Sequence, residues 1–93
     1  MIPAKQGIFM SLTIIGLGVL GTSLGLALKS AISQMQIVGH DPEPALTAQA
    51  KKLGAIDKSH WNLPAACEQA DIVLLDLPYP QVLPTLRVLA ESL

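Results

Sequence analysis

The chain has 93 residues, enough for one small domain, and a formal net charge of −1. A hydrophobic fraction of 51% against 14% charged residues excludes a disordered chain. The six Lys and Arg are scattered, so no basic groove forms and nucleic acid is not an expected partner. A single cysteine, Cys67, rules out an internal disulfide, and next to Glu68 it reads as a small core residue. Two histidines without a Cys/His cluster give no metal site.

No charged residue lies between Lys5 and Lys29. A transmembrane helix needs roughly 20 apolar residues, so length alone permits one here. The pattern argues otherwise. Leu12-Thr13-Ile14-Ile15 is short, rich in β-branched residues and stops at Gly16, as a buried strand does. Leu20, Leu24, Ala27 and Leu28 then recur at helical intervals up to Lys29. Each glycine inside a continuous helix would cost about 0.5–1 kcal/mol relative to Ala. A turn at Gly16–Gly18 and a helix entered near Gly21 remove most of that cost. A secretory signal fits poorly, because Lys5 is the only early positive charge and no A-x-A-like site closes the run. The expectation is a cytoplasmic domain with no membrane segment, preceded by a short extension over residues 1–10.

Gly16, Gly18 and Gly21 have the spacing of a dinucleotide-binding turn. The first glycine permits the bend, the second lets the backbone approach a pyrophosphate, and the third allows close helix–strand packing. The pyrophosphate would sit on the free N–H groups of the helix N-terminus. The motif gains weight only when a second strand and an acid follow at the right distance. Gln36 to Gly39 reads as that strand, and Asp41 lies roughly 20 residues past Gly21. A carboxylate there would accept hydrogen bonds from the adenosine ribose and repel a 2′-phosphate, favouring NAD over NADP. Alternatively, Asp41 caps a helix with Pro42 at its first position.

A second helix is expected from about Glu43 to Leu53, stopped by Gly54. Ala55 to Asp57 reads as a very short third strand, Ser59 to Asn62 as a loop, and Leu63 to Ala70 as a short helix. Asp71 to Asp76 is a buried strand bounded by acids. The last helix is expected to open near Pro84, not to run through it, and to bury Leu86, Leu89 and Leu93. Alternating strands and helices imply an α/β fold: a partial Rossmann fold over residues 11–93, with a parallel sheet in order 3-2-1-4 and helices on both faces. The fourth strand, Ile72 to Leu75, is then an apolar open edge. Either a missing C-terminal region or a second copy in a homo-oligomer would pair with it.

Three segments, "LTIIGLGVLGTSLGLALK", "IVGHDPEPALTAQAKKLGAID" and "ADIVLLDLP", resemble the N-terminal cofactor domain of prephenate and arogenate dehydrogenases. The resemblance covers roughly residues 11 to 90. It implies oxidative decarboxylation in tyrosine biosynthesis with a nicotinamide cofactor, in a longer protein. By this resemblance Gly16, Gly18 and Gly21 hold the pyrophosphate, with Leu17, Val19 and Leu20 supplying turn backbone. Asp41 holds the adenosine ribose, and Leu77 and Pro78 border the cofactor. Two positions depart from the family pattern. Thr22 replaces a frequent Gly, and Asp76 replaces a small Ala near the cofactor groove. Asp76 would bond a ribose, repel the pyrophosphate, or stand solvated at a strand end. The family's catalytic histidine and helical domain come later, so no catalytic residue is expected here and neither His40 nor His60 is assigned that role. The alternative is a free-standing or degenerate nucleotide-binding or interaction module, paired through its open strand edge.

Overall fold

The computed structural model describes residues 10–92. Strands β1 (Met10–Ile15), β2 (Met35–His40), β3 (Lys58–Ser59) and β4 (Ile72–Leu75) alternate with helices α1 (Val19–Ala31), α2 (Pro44–Leu53), α3 (Leu63–Cys67) and α4 (Tyr79–Ser92). The strands form one parallel sheet in the order β3-β2-β1-β4. Leu12 stands opposite Ile37 on one side and Ile72 on the other, so β1 is central. The long uncharged run is thus divided into strand, turn and helix. Among the described residues no helix is long and apolar enough to cross a membrane. Residues 1–9 of the expected N-terminal extension lie outside the described residues, and Met10 already belongs to β1.

β1 and β2 are covered on both faces, and most of their residues are buried. Leu12, Ile14, Met35 and Ile37 point to one side, where they pack with Leu17, Ala50, Ala55 and Ile56 beneath α1 and α2. Thr13 points the other way and is fully buried, its hydroxyl donating to the Ala66 carbonyl of α3 at 2.6 Å. Helix α4 packs beside α3 and buries Leu89.

Helix α1 meets the sheet through its glycines. Gly21 and Gly25 are its buried residues, whereas Leu20 and Leu24 are exposed. A Cβ on Gly25 would strike the Ala55 carbonyl, and one on Gly21 the Gly16 carbonyl. The helix therefore lies nearer the backbone than side chains would permit.

Several boundaries differ from the sequence expectation. The third strand is Lys58–Ser59, not Ala55–Asp57. Gly54 adopts φ 84°, and the Ala55 N–H bonds back to the Ala50 carbonyl at 2.9 Å, so Ala55 belongs to the end of α2. Helix α3 ends at Cys67, with Asn62 as its cap through Oδ1 accepting from the Ala65 N–H at 2.9 Å. β2 runs from Met35 to His40, one residue longer at each end than the expected Gln36 to Gly39.

The largest correction concerns α4. It opens at Tyr79 and continues through Pro84. Pro84 removes one bond, to the Pro80 carbonyl. Both prolines are exposed, so that carbonyl stays open to water. Leu86 is exposed rather than buried, since α4 follows β4, the edge strand of the described sheet, and no further described element packs on that side. Leu93 lies outside the described residues.

Candidate functional site

The C-terminal ends of β1, β2 and β4 converge at the glycine turn, where ligands of parallel sheets bind. Gly16 takes φ 103°, a conformation open to glycine, and its N–H donates to the His40 carbonyl at 2.8 Å. A Cβ there would also strike the Asp76 carbonyl, so the turn rests on the end of β4. Leu17 drops its side chain into the core, 2% exposed, and anchors the turn from below. Thr22 donates its hydroxyl to the Leu17 carbonyl at 3.0 Å and fastens the turn to the first coil of α1.

Gly18 is the N-cap of α1 and has no side-chain cap bond. A Cβ on Gly18 would meet nothing within 4 Å among the described residues, so packing among them does not require this glycine. The N–H groups of Gly18, Val19 and Leu20 find no acceptor among the described residues. Val19 and Leu20 are exposed, and helix α1 reaches its N-terminus here ahead of Gly21. Three free donors at the positive end of a helix dipole attract an anionic group.

Asp41 follows β2 and faces this turn. One carboxylate oxygen accepts from the Leu17 N–H at 2.8 Å, and the other from the Glu43 N–H at 2.8 Å. Helix α2 starts at Pro44 with Glu43 as its N-cap, so Asp41 is not the cap and Pro42 is not the first helical residue. The two bonds lock the carboxylate between the turn and the entry to α2. Each oxygen retains a lone pair for a further donor. Leu77 and Pro78 continue the chain past β4, half-buried and exposed respectively, and Pro78 bonds through its carbonyl to the Gln81 N–H.

Two features of the site were not specified by the sequence. The first is the state of Asp76. Its carboxylate is half-buried and accepts from the Gly21 N–H at 2.9 Å, so it is not a solvated strand-end acid. The second is a pocket of about 560 Å³ beside Asp41, between α2 and the loop after β3. Pro42, Thr47, Lys51, His60 and Trp61 line it. Trp61 is 89% exposed, an unusual position for so large an apolar ring. The signal available in sequence was its place directly after the third strand, on the edge that carries the glycine turn.

Two buried or half-buried titratable groups, His40 and Cys67, are structural. His40 is buried with Nδ1 2.9 Å from the His60 carbonyl oxygen. A carbonyl only accepts, so Nδ1 carries the proton and the ring serves as a brace between β2 and the next loop. Burial pushes the Cys67 thiol above its ordinary value, which keeps it protonated and unreactive at neutral pH.

Residues 24–93 match the family model described as prephenate dehydrogenase, nucleotide-binding domain. A prephenate dehydrogenase of Lactococcus lactis subsp. cremoris is 38% identical over 77 residues, which cover 83% of this chain and 21% of that protein. The chain thus spans about a fifth of the length of the curated relatives it matches. Among solved structures, Synechocystis arogenate dehydrogenase superposes with a TM-score of 0.80 at 25% identity, over 89% of this chain and 29% of that one. Prephenate dehydrogenase from A. aeolicus, solved in complex with hydroxyphenyl propionate and NAD+, superposes with a TM-score of 0.74 at 26% identity, over 91% and 29% of the two chains. The family match begins at Leu24, after the glycine turn, so the turn's role rests on its own geometry. Sequence and fold together make this chain a member of the family of prephenate dehydrogenase nucleotide-binding domains.

Proposed function

We propose that residues 11–93 bind NAD+ as the cofactor domain of a dehydrogenase acting on prephenate or arogenate. The observation that carries this reading is the bond from the Leu17 N–H to Asp41, which sets a fixed carboxylate beside the free N–H groups of Gly18, Val19 and Leu20. Those donors suit a pyrophosphate, and the open space over Gly18 lets it come close. Asp41 has the lone pairs to accept from both adenosine ribose hydroxyls, and its charge disfavours a 2′-phosphate. Leu77 and Pro78 flank the groove on the β4 side, and Trp61 offers its face to an adenine in the pocket next to Asp41. When bound, NAD+ supplies the hydride acceptor for oxidative decarboxylation in tyrosine biosynthesis. The solved relative holding NAD+ supports the choice of cofactor.

The chain's own contribution is to bind and orient. No residue of this stretch is assigned to proton transfer: the His40 ring is buried against the His60 backbone carbonyl, and His60 lies in the exposed loop after β3. Strand β4 exposes Ile72 and Val73 along an edge and, among the described residues, pairs only with β1. That edge suits a further strand, from following polypeptide or from a second copy, in a cytoplasmic enzyme. The decisive experiment is calorimetric titration with NAD+ and NADP+. Saturable binding that favours NAD+ supports the proposal, and no binding by a folded chain defeats it.

A further inference from the structure

The anion-binding end of α1 already holds an anion. Asp76, at the end of β4, sends its carboxylate to the third N–H of the helix, that of Gly21, at 2.9 Å. The placement is imposed by the fold. Asp76 continues the β4 ladder through its own N–H to the Ile15 carbonyl at 2.8 Å, and its carbonyl lies against Gly16. From there the Asp76 side chain reaches α1 through its bond to the Gly21 N–H. There it uses one of the helix-end donors and brings a full negative charge beside the other three, on Gly18, Val19 and Leu20.

We propose that Asp76 is an internal competitor for the dinucleotide phosphates and sets how tightly this site takes its cofactor. The proposal rests on the cofactor reading given above. Two effects act in the same direction. The Gly21 N–H is withheld from the phosphates, and a carboxylate a few ångströms from a phosphate repels it in a site that is only partly open to water. Neither effect reaches the ribose or the adenine, which lie toward Asp41. Asp76 should therefore weaken phosphate-bearing ligands and leave an uncharged nucleoside alone.

The test titrates NAD+, ADP and adenosine into the wild-type chain, Asp76→Asn and Asp76→Ala, each checked for folding by circular dichroism. Asp76→Asn keeps size and an acceptor for Gly21 but removes the charge. Asp76→Ala also frees the N–H. NAD+ and ADP are expected to bind about tenfold tighter to Asp76→Asn, and tighter still to Asp76→Ala, with adenosine unchanged. Equal affinities for NAD+ in all three chains would overturn the inference and leave the cofactor reading intact. Weaker binding by both variants would also overturn it, since Asp76 would then be a ligand-holding group. No binding of NAD+ by any folded chain would overturn both.

Discussion

The Asp41 carboxylate joins the end of the second strand to the glycine turn by accepting from the Leu17 N–H at 2.8 Å. A single side chain thereby fixes the spacing between the end of β2 and the glycine turn, the two ends of the proposed cofactor site. Asp41→Asn keeps one oxygen where two are used, so it can serve Leu17 or Glu43 but not both. The expected result is a loss of NAD+ affinity of about tenfold to a hundredfold, from about 1.5–3 kcal/mol of charged hydrogen bonding. NADP+ should lose less, because the repulsion against its 2′-phosphate goes too. Titration of both nucleotides measures the ratio, and an unchanged preference for NAD+ would contradict the role of Asp41.

Gly18 at the N-cap of α1 and Gly25 within the helix are expected to separate binding from packing. At Gly18, φ is −74° and a Cβ meets nothing among the described residues, so Gly18→Ala should leave the melting temperature nearly unchanged. The same methyl would occupy the approach to the pyrophosphate and should abolish NAD+ binding. Gly25→Ala behaves oppositely. Its Cβ strikes the Ala55 backbone, and helix α1 must move. Overpacking of this kind costs about 1–3 kcal/mol, more than the gain of about 1 kcal/mol in helix propensity. A thermal melt and a titration of each variant give the contrast. Binding that survives Gly18→Ala would remove the glycine turn from the site.

Much of this architecture was legible because it follows from spacing. The strand–turn–helix, the acid after the second strand and the sheet order depend on glycine positions and apolar runs that local rules interpret well. What escaped depends on tertiary context. Leu20 and Leu24 have helical spacing, yet α1 packs through Gly21 and Gly25 because the backbone of the turn and of Ala55 lies so near. Pro84 was expected to mark a helix start, but its cost falls on one exposed carbonyl and packing of Leu89 carries α4 onward. Ala55 looked like strand, but the turn at Gly54 recruits it as a cap. The Asp76–Gly21 bond links residues far apart in the chain and no periodicity encodes it.

Trp61 is the chain's one tryptophan and stands 89% exposed at the rim of the pocket beside Asp41. It is therefore both a candidate adenine platform and a clean optical probe. NAD+ should quench its fluorescence in a saturable way with the same midpoint as calorimetry. Trp61→Ala should weaken NAD+ by tenfold or more, since stacking of a base on an aromatic ring is worth about 1–3 kcal/mol. Trp61→Phe should recover most of that loss. Because the ring buries almost nothing, stability should not change. Unaltered affinity in Trp61→Ala would take the adenine away from this pocket.

The Lys29–Asp57 pair ties α1 to the segment that enters the third strand and sets an acid limit on stability. Asp57 accepts from Lys29 Nζ at 2.6 Å and from the Ile37 N–H at 2.8 Å. Burial alone would raise its pKa, but the bonds from Lys29 and Ile37 and the lysine charge outweigh it, so the carboxyl titrates below its ordinary value of 3.8. With the folded value depressed, the contribution is complete above the unfolded value near 4 and is lost as pH falls through the folded value. Both side chains are about a third exposed, so solvent screening limits the ion pair to about 1 kcal/mol or less. The melting temperature of the wild-type chain should fall more steeply than that of Asp57→Asn as pH drops below about 4. At neutral pH the variant should be modestly less stable, with the gap narrowing in high salt. Parallel pH profiles for the two chains would remove this pair from the acid sensitivity of the fold.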